Sequence, residues 1–132
     1  MDEEKIKRIK DDFQFLIKEQ NIHSILVFGS YAGEDETARS DIDICIVMPE
    51  NRELGERLLN IAISKLSSKG YDIHLFETLP LYMKIEIINN HEVIHSKDIY
   101  DLYEYFYFYR KIWKDQEHRQ KLTKEEMLKL FS

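Results

Sequence analysis

The sequence predicts a mixed α/β fold: a small sheet that carries helices on one face, a functional site on the other, and a helical C-terminal extension. Runs of strand-forming residues alternate with helical patterns, and a chain of 132 residues suits one hydrophobic core. No linker rich in Gly, Ser or Pro divides the chain. We therefore expect a single domain over residues 1–132, with its core at about 3–95 and the extension at about 98–131.

Three runs rich in β-branched and aromatic residues predict strands, and a shorter run predicts an edge strand. The first run ends abruptly at Gly29 and the second at Pro49, residue types that interrupt a strand. The predicted strands are 24–28, 42–48, 71–76 and 91–95.

Apolar residues at intervals of three and four predict helices between and around these strands. The pattern at 52–68 ends near Gly70 and predicts a crossover helix between the second and third strands. The segment after Pro80 fits a helical face better than a strand. At 123–126 the capping-box pattern Thr-Lys-Glu-Glu predicts the start of a separate last helix. The predicted helices are 3–19, 52–68, 81–90, 98–120 and 123–131.

Composition and charge exclude several classes of protein. The net charge of −6 and the pI near 5.4 argue against sequence-independent binding of bulk nucleic acid, which relies on clustered Lys and Arg. No stretch approaches the roughly 20 apolar residues that cross a bilayer, and the charged N-terminus lacks the pattern of a secretory signal. We expect a cytoplasmic protein with no membrane association. The single cysteine, Cys45, lies in an apolar run and suits a buried packing role.

The most informative stretch runs from Gly29 to Asp43, where one predicted strand ends in Gly-Ser and the next begins with two carboxylates. Side chains alternate along a strand, so Asp41 and Asp43 are predicted on the same face, about 7 Å apart. Ile42 and Ile44 then face the opposite way, toward the helices. Magnesium is commonly held by one or two carboxylates together with substrate phosphates, so this pair predicts a magnesium site that takes a nucleoside triphosphate.

Gly29, Ser30 and Ser40 are the predicted contacts to the nucleotide. Gly29 would let the backbone turn sharply beside a ligand, and Ser30 is predicted at an N-cap position, where a hydroxyl and free amides can hold phosphate oxygens. Ser40 is a candidate ligand, with a turn or cap hydroxyl as the alternative. The chain contains neither G-x-x-x-x-G-K-[ST] nor G-x-G-x-x-G, so it lacks the P-loop and dinucleotide-binding motifs.

Asp72 opens the third predicted strand, and its carboxylate faces the same site if that strand pairs beside the second. There it could hold a metal ion or accept the proton of an attacking hydroxyl; the alternative is a strand-start residue that faces water. His74 lies on the same strand face and could contact substrate, although a surface or partner-facing histidine is the more frequent case. The histidines and the lone cysteine show no spacing typical of a zinc site.

One spacing connects these residues. Gly29 and Ser30 are followed by ten residues and then by Asp41 and Asp43, in the order Gly-Ser, ten residues, Asp-x-Asp. This pattern resembles the signature of the minimal nucleotidyltransferases of the DNA polymerase β superfamily, and the α/β order extends the likeness to about residue 95. The resemblance implies a polymerase-β-like fold, ATP or another nucleoside triphosphate as donor, two magnesium ions, and both aspartates as metal ligands.

The resemblance also implies a third acid on a following strand, for which Asp72 is the best-placed candidate, and a protein partner. Minimal members often act as antitoxins beside a HEPN-domain toxin and transfer AMP to a tyrosine of that toxin. Two alternatives stay open: transfer to a small hydroxyl compound such as an aminoglycoside, or a non-catalytic antitoxin that acts by complex formation. Glu34 stands where many members have glycine, which keeps the non-catalytic alternative open.

The aromatic run at 100–109 lies on the long predicted helix and places aromatic residues on more than one side of it. Such residues form core and partner contacts more often than base-stacking surfaces. We therefore hypothesise that this helix covers the open sheet face near Cys45, Val47 and Phe76, or docks another protein.

Overall fold

A four-stranded sheet forms the centre of the computed structural model, which describes residues 2–29 and 41–130. The strands are β1 (Ser24–Phe28), β2 (Ile42–Val47), β3 (Tyr71–Leu75) and β4 (His91–Ser96). Their order is β3-β2-β1-β4; β1 pairs antiparallel with both neighbours, whereas β2 and β3 run parallel. The sheet is therefore mixed, and β4 lies at one edge, as predicted.

Helices precede, connect and follow the strands. Those in the described part of the chain are α1 (Glu3–Asp12), α2 (Gln14–Ile17), α3 (Arg52–Leu66), α4 (Leu81–Asn89) and α5 (Ile99–Leu130). The predicted crossover is confirmed, since α3 joins the parallel strands β2 and β3. Asn51 begins α3, because its Oδ1 accepts a hydrogen bond from the N–H of Leu54 at 3.1 Å. Within the described residues, no helix has both the length and the apolar character needed to span a membrane.

The predicted first helix, 3–19, is divided at Phe13. This residue has φ −97° and ψ 10°, outside the helical range, and it separates α1 from α2. Phe13 is fully buried, and its ring lies 5.1 Å from the ring of Tyr71, edge to face. Packing of this ring against β3 therefore overrides the continuous helical pattern of the sequence.

The predicted separate helix at 123–131 is wrong, because α5 continues without interruption to Leu130. Residues 120–123 contain neither Gly nor Pro, so nothing in the backbone stops the helix before Thr123. A capping box stabilises a helix start only where backbone N–H groups have no partner within the helix. In α5 the start is instead at Asp98, whose Oδ1 accepts hydrogen bonds from the N–H groups of Tyr100 and Asp101.

One face of the sheet packs against α1 and α3. The isoleucines of β2 and the alternate residues of β1 and β3 point into this layer, as strand periodicity requires. Fully buried members of this core are Ile9, Phe13, Ile25, Val27, Ile44, Ile46, Ala62 and Leu75. The predicted orientation of the isoleucine face is confirmed.

Helices α4 and α5 cover much of the opposite face, which corrects the expected arrangement of helices on one face. The centre of this sheet face is also apolar, so helices must pack against it to exclude water. Its buried residues are Leu26, Cys45, Val47, Phe76, Ile85, Ile87, Ile88, Leu102 and Phe106. The hypothesis that the aromatic helix packs near Cys45, Val47 and Phe76 is confirmed, as is the packing role of Cys45.

Glu77 connects α5 to the end of β2. It lies in a short 3-10 turn, Phe76–Thr78, that follows β3. Its Oε1 accepts a hydrogen bond from the N–H of Met48 at 2.8 Å, and its Oε2 accepts one from the hydroxyl of Tyr105 at 2.8 Å. Burial raises the pKa of Glu77, and burial also raises the pKa of Tyr105. A partly buried carboxylate therefore links the long helix to the end of β2.

Candidate active site

Asp43 and Asp72 lie opposite each other in the parallel pair formed by β2 and β3. Alternation along β2 places Asp43 on the face of Cys45 and Val47, one step beyond the apolar layer under α5. We expected Asp72 to face the site if its strand paired directly with the second strand. The structure shows this pairing. The two carboxylates therefore meet near the start of both strands, at one end of this face.

His74 joins the two carboxylates. One ligand atom from each of Asp43, Asp72 and His74 lies within 4.8 Å of the other two. The Nε2 atom of His74 is 3.1 Å from Oδ2 of Asp72, and the imidazole also contacts the ring of Phe28 edge to face at 5.8 Å. Sequence reasoning favoured a surface or partner-facing role for this histidine. One sequence feature could have indicated that His74 belongs to the site: it lies two residues after Asp72, on the same strand face.

The electrostatics of Asp43 reflect this crowding. Partial burial raises the pKa of its carboxyl, the negative charge of Asp72 raises it further, and Asp41 adds a smaller increase. The imidazole of His74 lowers the pKa and so partly offsets these effects. The two carboxylates lie close together although their negative charges repel each other. Such a pair of oxygen donors fits a divalent cation, whose charge would offset this repulsion.

Gly29 brings the end of β1 against Asp43. Its φ of +75° lies in the left-handed region, and a Cβ at this position would stand 2.5 Å from Oδ2 of Asp43. Any other residue would meet both backbone strain and the carboxylate. The predicted sharp turn at Gly29 therefore has two physical reasons here, backbone conformation and close approach.

Asp41 lies immediately before β2, near enough to Asp43 for its charge to raise the pKa of that carboxyl. It is exposed, and it is not a member of the cluster of Asp43, Asp72 and His74. Its Oδ1 lies beside Gly70, 3.9 Å from where a Cβ of that glycine would be. The other two predicted nucleotide contacts, Ser30 and Ser40, lie outside the described residues.

A cavity of about 490 Å³ opens beside Asp43. Its wall combines the end of β1 with the C-terminal end of α4, and its lining residues are Phe28, Gly29, Asp43, Glu86, Asn89 and Asn90. This volume is in the range of small-molecule sites. Sequence reasoning missed the contribution of α4, because Asn89 and Asn90 were interpreted only as the end of a helix.

Facing carboxylates on a parallel strand pair, a glycine turn against one of them and an adjoining cavity are features of an enzyme site that handles phosphates. The chain matches the family model described as "Polymerase beta, Nucleotidyltransferase" over residues 7–100. It therefore belongs to the polymerase β nucleotidyltransferase family, and the predicted family and enzyme class are confirmed.

Two curated relatives come from Methanocaldococcus jannaschii, and both are named as candidate protein adenylyltransferases. The first is 49% identical over 98 residues, which cover 74% of this chain and 75% of the relative. The second is 36% identical over 68 residues, which cover 52% of this chain and 68% of the relative. The similarity to the first relative extends well beyond the Gly-Ser and Asp-x-Asp motif.

Solved structures with the same fold include chains from toxin–antitoxin complexes. One, a crystal structure of the toxin-antitoxin with AMP-PNP, has a TM-score of 0.63 at 18% identity and covers 92% of this chain and 98% of that one. Another is tri-AMPylated Shewanella oneidensis HEPN toxin in complex with MNT antitoxin. It has a TM-score of 0.62 at 16% identity and covers 96% and 99% of the two chains. At these identities the likeness shows the fold, which confirms the predicted polymerase-β-like architecture.

Proposed function

We propose that this nucleotidyltransferase moves AMP from ATP to a hydroxyl of a HEPN-type toxin, most simply a tyrosine hydroxyl, and thereby acts as an antitoxin. The observation that carries the proposal is the pair of facing carboxylates, Asp43 and Asp72, beside a cavity and the Gly29 turn. The adenylyltransferase name of the 49% identical relative supports AMP as the group transferred. The AMPylated HEPN toxin in a structure of the same fold supports the partner class.

Asp41, Asp43 and Asp72 would hold two magnesium ions, which neutralise phosphate charge and lower the pKa of the attacking hydroxyl. The register of β2 and β3, in which Asp43 and Asp72 stand opposite each other, supports this assignment. Asp41 is exposed at the entrance to β2, where its carboxylate can turn toward the same ions. Gly29, Ser30 and Ser40 would contact the triphosphate, and the Gly29 backbone lies beside Asp43.

The proposed transfer is a single displacement at the α-phosphorus of ATP. The acceptor oxygen forms a bond to the α-phosphorus, and the bond from that phosphorus to the oxygen bridging to the β-phosphate breaks. Pyrophosphate leaves with the electron pair of that bond, and the hydroxyl proton passes to a carboxylate such as Asp72 or to water. The cavity lined by Asn89 and Asn90 lies beside the carboxylates and offers amide groups to the nucleoside or to the acceptor. Because the donor is ATP, we place the reaction in the cytoplasm.

A neutralisation experiment tests the enzymatic role against complex formation. The chain and a HEPN-type toxin from the same genome would be co-expressed, and the intact mass of the toxin would be measured. We expect wild type to restore growth and to add adenylyl groups to the toxin. The double variant Asp41→Asn with Asp43→Asn should do neither, whereas the exposed control Asp115→Asn should match wild type.

Two results would overturn the proposal. Full neutralisation by the double variant, with an unmodified toxin, would identify a non-catalytic antitoxin. Modification of an aminoglycoside, with no change in the mass of the toxin, would identify transfer to a small hydroxyl compound.

A further inference from the structure

The imidazole of His74 faces the same point as the carboxylates of Asp43 and Asp72. Its Nε2 is the atom that approaches Oδ2 of Asp72, at 3.1 Å, and the ligand atoms of the three residues lie within 4.8 Å of one another. Ligands on opposite sides of one ion with bonds of about 2.1 Å are roughly 4.2 Å apart. The three side chains therefore need only small adjustments to bind a single ion together.

The position of His74 is also fixed by its surroundings. The residue lies near the end of β3, its side chain is 28% exposed, and the ring of Phe28 packs against it edge to face. Two other histidines are engaged elsewhere: Nδ1 of His91 lies 2.8 Å from the carbonyl oxygen of Ile87, and Nδ1 of His23 lies 2.8 Å from Oγ of Ser24. In the described cluster, His74 is the residue that offers a ring nitrogen to a cation.

We propose that His74 is a nitrogen ligand of the cation site and gives this site a preference for Mn²⁺ over Mg²⁺. The inference rests on the proposed function, in which the carboxylates hold divalent cations. Mg²⁺ prefers oxygen ligands and near-ideal octahedral geometry. Mn²⁺ shares the preference for carboxylates, but as a first-row transition metal it gains more than Mg²⁺ from an added imidazole nitrogen. Two carboxylates and one imidazole therefore form a mixed donor set that favours Mn²⁺, while two carboxylates alone would discriminate less.

Electron paramagnetic resonance of Mn²⁺ added to the full chain, without ATP or acceptor, tests this assignment. The loss of the free Mn²⁺ signal measures affinity, and competition with Mg²⁺ gives the ratio of the two affinities. Pulsed measurements detect ¹⁴N coupled to the bound ion. We expect a ¹⁴N modulation in wild type that is replaced by the ¹⁵N pattern when the protein is made with ¹⁵N-histidine.

The variant His74→Gln keeps a group that can hydrogen-bond Asp72 but removes the imidazole nitrogen. It should lose the nitrogen modulation and lower the Mn²⁺ to Mg²⁺ affinity ratio by about tenfold or more. His118→Gln, on the exposed part of α5, is the matched control and should behave as wild type. The ¹⁵N-histidine measurement uses wild type and shows whether a histidine binds the ion. Since His74 is the histidine of the described cluster with Asp43 and Asp72, a coupled ¹⁵N supports the assignment even where His74→Gln fails to fold, and its absence overturns it.

Failure of this inference can be told apart from failure of the proposed function. Bound Mn²⁺ without nitrogen coupling, an unchanged affinity ratio in His74→Gln, or no Mn²⁺ binding at millimolar concentration would each overturn the role of His74. A chain that transfers AMP but gives one of these results refutes only the inference. A chain that binds Mn²⁺ through His74 but transfers no AMP refutes only the proposed function.

Discussion

The carboxylate of Asp43 illustrates how a single functional residue can lower the stability of the folded chain. Its pKa is raised because it is partly buried and faces the charge of Asp72, so the ionised carboxylate is less favourable in the folded chain than in the unfolded one. A protein selected for stability alone would not keep two acids opposite each other on paired strands. Cation binding gives a physical reason for keeping them.

Replacing Asp43 with Asn should therefore separate activity from stability. Transfer of AMP should fall by at least about 100-fold, since even indirect supports of a metal site cost 10- to 100-fold. Without added metal at pH 7.5, the melting temperature should stay equal or rise. Because the folded pKa is raised, this gain should vanish as the pH falls below the ordinary carboxyl range. Thermal melts across pH 3–8 measure it, and a variant that melts well below wild type at pH 7.5 would contradict this account.

Gly29 and Gly70 form a matched pair for testing close approach. Both have positive φ, at +75° and +80°, so backbone strain alone should cost about 1–2 kcal/mol of folding free energy for alanine at either position. Only at Gly29 would the new Cβ meet Asp43, 2.5 Å from Oδ2; at Gly70 the nearest contact is 3.9 Å. We expect Gly29→Ala to lose transfer activity at least about tenfold beyond Gly70→Ala. Equal activities in the two variants, with both folded, would show that the approach to Asp43 is unimportant.

Among the secondary-structure elements, α5 is linked to the sheet by the hydrogen bond between Tyr105 and Glu77. Tyr105→Phe removes this donor from a partly buried carboxylate and should cost about 1–2 kcal/mol of unfolding free energy near pH 8. The Tyr105 hydroxyl lowers the pKa of Glu77, so its loss should raise that pKa further. The destabilisation should therefore shrink as the pH falls and Glu77 becomes protonated.

Urea unfolding at pH 5 and pH 8 measures this dependence. The matched control is Tyr100→Phe, because the side chain of Tyr100 is 79% exposed and should contribute little at either pH. A destabilisation of Tyr105→Phe that is the same at both pH values would mean that the ionisation of Glu77 does not govern the contact.

The sequence predicted most elements because their patterns are local. The runs of β1 and β2 are dense in branched apolar residues and bounded by Gly29 and Pro49, so their limits were nearly correct. The division of the first helix at Phe13 depends on packing against Tyr71, 58 positions further along the chain and therefore invisible to helical periodicity. The continuity of α5 was missed because a local pattern was given too much weight. The capping pattern at 123–126 predicted the start of a new helix, although these residues lie inside a helix that is continuous.

The candidate site was predictable in so far as it depends on strand register. Alternation and pairing suggested that Asp72 would face Asp43, and the register of β2 and β3 places them opposite each other. The contribution of α4, with Asn89 and Asn90 in the cavity wall, could not be derived, because it depends on how a helix packs across the sheet. Asp41 directly precedes β2, as the predicted strand limits require, and its place on the same face as Asp43 stays a prediction.

At the scale of the whole molecule, α5 has two parts with different roles. Its buried residues, Leu102 and Phe106, lie in the first third of the helix, and residues 114–130 are exposed. A chain truncated after Trp113 should therefore keep its unfolding free energy within about 0.5 kcal/mol, with a reduced helical signal. Circular dichroism melts would measure both quantities. Cooperative unfolding at a much lower temperature would show that the distal part of the helix supports the fold.

Parallel reactions with α-³²P-ATP and γ-³²P-ATP test whether Asp43 and Asp72 form a site that moves AMP to a protein hydroxyl. With wild type and a HEPN-type toxin, we expect the α label on the toxin and the γ label only in pyrophosphate. Asp72→Asn should abolish labelling, and Asp115→Asn should preserve it. Labelling from γ-³²P-ATP, or labelling by Asp72→Asn at the wild-type rate, would contradict the account.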